Sequence, residues 1–263
     1  QKNAMQNAHI WHKLNIRWFK VILFSLVLLF FQNNLVKAQQ KSFIFNPSGS
    51  DNEPLSYGFF LAAHNSSLRI KYADNFLNPD YPNLDKVRAI MPSFSPGFAL
   101  GFLVTARLHD QFNLMFTPKV GFYEYRTELQ LFTDDPDAIN GVGINAVPLL
   151  TEETLVEIPL LLKYKSQRFN NTRMFFIGGL NGQFRTKNQE EANEDPVALK
   201  GSDVALEMGM GFDLYFKFFK FSPEIRFSHG LMNLYQEGYS DERMTGAISS
   251  IKRKSITIYL NFQ

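Results

Sequence analysis

The feature of this sequence that most limits what it can fold into is a period of two that recurs in long runs. From Phe94 to Leu108 the even positions read Phe94, Pro96, Phe98, Leu100, Phe102, Val104, Ala106 and Leu108, and the odd positions Ser95, Gly97, Ala99, Gly101, Leu103, Thr105 and Arg107. Successive side chains of a strand point to opposite faces, so this segment predicts a strand with one greasy face and one small or polar face. The same rule sets Phe112, Leu114, Phe116, Pro118, Val120 and Phe122 against Asn113, Met115, Thr117, Lys119, Gly121 and Tyr123. It recurs over Thr154–Tyr164, Met174–Arg185, Val204–Phe216, Phe219–Ser228 and Ser255–Phe262. A first strand is expected near Tyr57–His64, where Tyr57, Phe59, Leu61 and Ala63 share a face.

Eight strands of this kind fit either a soluble antiparallel sandwich or a closed membrane barrel, since both alternate. Length favours the barrel: several runs reach or exceed the roughly 9–11 residues of a tilted membrane strand, whereas ordinary strands average about five or six. Aromatic residues (Phe94, Tyr164, Phe184, Phe216) fall near predicted strand ends, as an interfacial girdle requires, and a strand is expected to run to Phe262-Gln263. Connections alternate as well. His109-Asp110-Gln111, about 166–171 and Lys217-Phe218 are short, while about 65–93, 129–153, 186–202 and 230–250 are long and hold Pro79, Pro136, Asn140-Gly141 and Pro196. Outer-membrane barrels have short periplasmic turns and longer external loops. The expectation is therefore an all-β chain, an eight-stranded antiparallel transmembrane β-barrel in the cell outer membrane.

The N-terminus gives the route. Lys2, Lys13, Arg17, Lys20 and Lys37 precede or flank the apolar run 21–31, and the first 38 residues hold no acid. Of 27 Lys and Arg the remainder keeps 22 against 25 acids, a net −3, so the body is mildly acidic and no nucleic-acid partner is implied. The run is shorter than the roughly 20 residues that span hydrocarbon as a helix. With Val36-Lys37-Ala38 behind it, it reads as a signal peptide cleaved between Ala38 and Gln39, with Met5 a candidate start. The expected organisation is residues 1–38 as signal, 39–56 as a periplasmic segment and 57–263 as the barrel. There is no cysteine, which removes lipid attachment through an N-terminal Cys, disulfides and thiol chemistry.

An eight-stranded barrel is just wide enough for side chains to fill. Its inward list holds Arg107, Lys119, Glu157, Lys163, Arg185, Glu207, Asp213, Glu224 and Arg226, a near-balanced set expected to pair as a structural polar network across the lumen, because unpaired interior charge is costly. For catalysis the candidates are His64 with Ser66 and Ser67, and His229 with Ser228, all placed near strand ends, but no spacing fixes a nucleophile, base and carboxylate. The acidic stretches 134–137 and 190–195 offer carboxylate oxygens to divalent cations or, more simply, to water. No cofactor motif and no metal site is expected. Gly178-Gly179 and Gly209-Met210-Gly211 read as positions that leave lumen space or ease curvature.

Several blocks, Pro96–Leu103, Phe116–Phe122, Val156–Lys165 with its Glu-Ile-Pro-Leu-Leu-Leu-Lys-Tyr core, and Phe221–Phe227, resemble the PorT/SprT family of Bacteroidetes outer-membrane barrels, over about Tyr57 to Gln263. The resemblance implies a non-enzymatic part of the type IX protein secretion system, needed for cargo export and for gliding motility where it occurs. It carries no catalytic residue to this chain. Implied partners are outer-membrane lipid and lipopolysaccharide, and other type IX secretion subunits. A barrel of the same build acting as an adhesin or surface-binding protein through its long loops is the alternative.

Overall fold

The computed structural model describes residues 53–74, 76, 87–132, 144–188, 195–236 and 246–263. The expected signal segment, its cleavage point at Ala38 and Gln39, the acidic stretch 134–137, and Glu190, Glu191 and Glu194 lie outside them. Among the described residues ten strands follow in chain order: β1 (Leu55–Tyr72), β2 (Val87–Ser93), β3 (Ser95–Arg107), β4 (Phe112–Phe116), β5 (Lys119–Phe132), β6 (Ile144–Lys165), β7 (Thr172–Arg185), β8 (Ser202–Tyr215), β9 (Lys220–Gly230) and β10 (Ile248–Phe262).

β2 and β3 are one wall segment broken only at Phe94, and β4 and β5 are one broken only at Thr117-Pro118. Proline has no N–H to give a ladder, yet the Pro118 carbonyl accepts from the Phe102 N–H at 3.0 Å, and the Thr117 N–H donates to the Pro159 carbonyl at 3.2 Å. The ten strands therefore make eight wall segments, all neighbours antiparallel. β1 pairs with β10 on one side, from Phe59↔Phe262 to Tyr72↔Ile248, and with β3 on the other, from Leu55↔Ala106 to Ser66↔Ser95. First and last segments meet, so the sheet is a closed barrel of eight, as the alternation and the even count imply.

Several strands are longer on their outer end than the alternation of apolar outward residues indicates. β1 runs on from His64 to Tyr72, β2 adds residues 87–93 before Phe94, β6 begins at Ile144 rather than Thr154, and β10 at Ile248. The connections expected at 65–93, 129–153 and 230–250 are correspondingly shorter. The cause is a reversal of the pattern. Outward positions on β5 change from Phe122 to Glu124, Arg126, Glu128 and Gln130, while inward positions there turn apolar with Leu129. On β1 the outward series Tyr57, Phe59 and Leu61 gives way to Asn65, Arg69 and Lys71.

The wall thus has two zones. The lower zone carries an outward apolar belt, including Phe98, Phe102, Leu160, Leu180, Met208, Phe212 and Ile258, all exposed to the surroundings. Its short-turn end is ringed by aromatic pairs: Phe59 stacks on Phe262 at 5.3 Å, Phe216 on Phe219 at 4.9 Å, and Phe112 meets Tyr164 at 5.2 Å. The upper zone is a polar-skinned extension of the same strands. It closes over an apolar core of Leu68, Ile90, Leu129, Leu149 and Ile251, sealed by Val197, Leu199, Leu234 and Tyr235 from the loops flanking β8 and β9. An isolated bridge between Leu199 and Tyr235 ties those two loops together.

Turn chemistry at the lower end is local. Phe169 and Thr172 exchange backbone hydrogen bonds at 2.9 and 3.0 Å around Asn170, which sits at φ 54°. Asparagine tolerates this left-handed conformation better than other residues with a Cβ, and tight hairpin turns need it.

Candidate functional site: the filled lumen

β6 shows how the interior is built, because its inward residues contribute to successive layers. Lowest is Lys163, whose Nζ lies 2.7 Å from Asp213 Oδ1, with Ser222 donating to the same oxygen at 2.6 Å. The Lys163 ammonium also stands 3.6 Å above the Phe175 ring. Above it, Leu161 packs with Phe60, Leu103, Met115, Phe175 and Ile177 in an apolar layer that fills the cross-section.

The next layer is charged. Lys119 Nζ sits 3.2 Å from Glu157 Oε2 and 3.9 Å from Glu207 Oε1, and donates to the Tyr259 hydroxyl at 2.5 Å. Glu157 accepts from Tyr123 at 2.5 Å, from Asn181 at 2.5 Å and from Gln183 at 3.1 Å. Asn181 bridges on to Glu207 at 2.7 Å. Arg226 binds Glu224, reaches Glu207 Oε2 at 3.5 Å and Thr117 at 3.3 Å, and its guanidinium lies 4.0 Å over the Tyr259 ring. Residues from β5, β6, β7, β8, β9 and β10 meet here, so this cluster joins most of the ring through side chains as well as through the ladder.

Glycine makes room for it. A Cβ at Gly209 would lie 2.2 Å from the Ile225 carbonyl oxygen and 3.1 Å from the Arg226 Cγ, so the wall and the guanidinium stem both occupy that space. Above the cluster, Glu153 takes Arg185 at 3.2 Å and Arg253 at 2.6 Å, and Arg253 reaches Asp203 at 4.0 Å. The Leu199 carbonyl accepts from Arg185 at 2.7 Å, which ties the sealing loop to this layer.

Of the nine residues read from the sequence as lumen network, Lys119, Glu157, Glu207, Glu224 and Arg226 lie in the central layer, Lys163 and Asp213 below it, and Arg185 above it. Arg107 does not join them. It is the last residue of β3, beyond the lowest layer, and its side chain, 30% exposed, pairs with Asp110 in the following turn. That contact holds the exposed Asp110 carboxyl below its ordinary range, through the hydrogen bond and then the charge of Arg107.

Sequence reasoning placed Tyr123 and Tyr259 on the inward face without assigning them to the network, and it missed Glu153, Arg253 and Tyr125. Glu153 fell at the end of an expected loop, and Arg253 between the loop expected at 230–250 and the strand expected from Ser255. Their signal is phase: Glu153 continues Glu157 by twos, and Arg253 continues Thr257 and Tyr259.

His64 is also corrected. It lies mid-strand and inward, 4% exposed, stacked on Tyr123 at 4.1 Å, because β1 continues well beyond it. Gly97 opposite has no side chain, and a Cβ there would fall 2.2 Å from the His64 Nε2. Ser66 and Ser67 donate instead to the carbonyls of Ser95 and Leu68 at 3.4 Å each. His229 stands at the outer end of β9, paired with Lys254, while Ser228 is on the opposite face of that strand. Neither histidine meets a serine in a catalytic geometry.

Among the described residues, apolar layers alternate with paired charges along the lumen. What this arrangement does is hold a rigid, closed cylinder.

No curated protein sequence matches the chain. Among solved structures it is similar to Neisserial surface protein A at 10% identity and TM-score 0.40, covering 80% of this chain and 98% of that one. It is also similar to the outer membrane protein OprG of Pseudomonas aeruginosa at 12% identity and TM-score 0.38, covering 78% and 94%, and to Ail, the attachment invasion locus protein of Yersinia pestis, at 7% identity and TM-score 0.32, covering 80% and 98%. Residues 37–236 match the family model described as outer membrane protein beta-barrel domain. With most of its length matched and its wall closed around a filled lumen beneath an apolar belt, this chain belongs to the outer membrane protein beta-barrel domain family and resides in the outer membrane.

Proposed function

We propose that this barrel is a non-enzymatic component of the type IX protein secretion system, required for export of cargo proteins and for gliding where the cell glides. The reading is supported by the blocks at 96–103, 116–122, 156–165 and 221–227 that resemble the PorT/SprT barrels. The observation that carries most weight is the lumen. A cylinder plugged by Lys119, Glu157, Glu207, Glu224 and Arg226 and capped by Leu199 and Leu234 cannot pass a polypeptide. Its role in export is then to position or stabilise other subunits, meeting them through the upper extension or the lipid-facing belt. The chain reaches its site through a signal peptide cut between Ala38 and Gln39, which N-terminal sequencing of the membrane form reads directly.

The test is the secreted and surface proteome of a deletion strain. Cargo bearing type IX signals is expected to be lost while other outer-membrane proteins stay at normal levels. Normal cargo levels would overturn the proposal.

The second reading, a surface-binding protein, draws on the upper extension, whose polar skin and own apolar core present a rigid platform above the membrane. Loss of adhesion with intact export would favour it.

A further inference from the structure

The ladder between β3 and β5 stops at Phe98↔Phe122, and that between β2 and β5 resumes at Ser93↔Arg126. At this interruption an open groove of about 760 Å³, within the size range of small-molecule sites, runs from the outer face of the wall in to Gly97, Tyr123 and Glu153. Its floor is Pro96, Phe98, Phe122 and Leu150; its rim includes Glu124, Glu152, Thr154, Thr186, Lys187 and Asp195.

Position identifies what reaches it. Phe122 is the last apolar outward residue of β5 before Glu124, so the floor begins at the upper edge of the belt and continues beyond it. Whatever lines the belt already touches the floor, and at this end of the barrel that is the outer leaflet.

The rim selects the headgroup. Glu124 and Glu152 are directly opposed in register and both face outward. Like charges so placed repel. Arg126 answers Glu124, and Lys187 is engaged by Asp195 at 2.8 Å, but Glu152 has no ion pair among the described residues. A carboxylate accepts hydrogen bonds from hydroxyls and repels phosphate.

We infer that this groove seats an outer-leaflet glycolipid, its acyl chain on Phe98 and Phe122 and its sugar hydroxyls on Glu124 and Glu152. The seat differs from ordinary boundary lipid because it is concave and its polar edge is acceptor-rich. It stands on the outer-membrane location and is independent of the secretion proposal.

The test uses quenching by brominated lipids. The protein is reconstituted in phosphatidylcholine vesicles with a reporter in the groove, Leu150→Trp, or on the belt away from it, Ile258→Trp, each read as the difference from the unsubstituted protein. The probes are a chain-brominated diglycosyl diacylglycerol, brominated phosphatidylcholine and brominated phosphatidylglycerol. At Leu150→Trp the glycolipid is expected to reach half-quenching at about one-tenth the mole fraction of the phosphatidylcholine, the weight of one or two charge-assisted hydrogen bonds. At Ile258→Trp all three are expected to be equal. Glu124→Gln with Glu152→Gln is expected to lower the preference several-fold while the protein still shifts in gels on heating. Equal potency at both reporters would mean boundary lipid only and overturn the site. A preference for phosphatidylglycerol, or a preference unchanged by the double substitution, would overturn the headgroup assignment.

Discussion

Lys119 and Glu157 face each other in register across β5 and β6, and the same two side chains close an ion pair of 3.2 Å inside the barrel. Backbone pairing and charge pairing therefore specify the same alignment: a slip of either strand by one residue would turn its charge toward lipid and leave the other inside without its partner.

Removing one member of this pair leaves the other buried without its main partner, at a cost of about 3–5 kcal/mol. Lys119→Met and Glu157→Leu are each expected to lower the urea midpoint of the folded barrel in detergent, whereas the double variant recovers most of the loss. A double variant as unstable as the two singles combined would mean that Lys119 and Glu157 act separately through Tyr259 and Asn181.

The charged and apolar layers leave the lumen closed. In planar bilayers the purified protein is expected to give no large, stable conductance. Porin-like steps would show that the layers around Leu161 and Glu157 open in the membrane.

The upper core should be separable from the barrel. Leu234→Ala removes a fully buried side chain that packs with Leu199 and Ile251, a change that costs about 2–5 kcal/mol in a core. Because that core lies above the belt, faster amide exchange is expected in residues 195–201 and 231–236, with β7 and β8 below unaffected. Uniformly faster exchange would make the two zones one cooperative unit.

At the lower rim the sign of a pH effect follows from Asp110. Its carboxyl is held below the ordinary carboxylate range by Arg107, so the contact contributes above that range and is lost as pH falls through the lowered value. Carboxyl carbon chemical shifts are expected to show Asp110 titrating at lower pH in the native protein than in Arg107→Gln.

How much of this was legible in the sequence depended on which solvent a strand meets. Within the belt, Phe98 to Phe102 and Ile256 to Leu260 announced their faces, and the inward charges Lys119, Glu157 and Arg226 followed from phase alone. Above the belt the rule inverts, so the apolar alternation stops short of Glu124 and Arg126, and Glu152 fell in an expected loop, although all three lie in strands. Glu153 and Arg253 were missed for that reason. The partnerships within the lumen, such as Lys163 with Asp213, come from the order in which strands close the ring, which no single strand encodes. His64 looked terminal because Asn65 and Ser66 follow it, and polar residues after an apolar run resemble the end of a strand.

The step from Phe122 to Glu124 also divides the chain into two regimes of permissible change. Below it, a polar substitution on an outward position places that group in hydrocarbon, while above it the same substitution meets water and costs little. Inward positions obey the reverse rule, since Leu129 and Leu149 stand where Lys119 and Glu157 would lead one to expect charge.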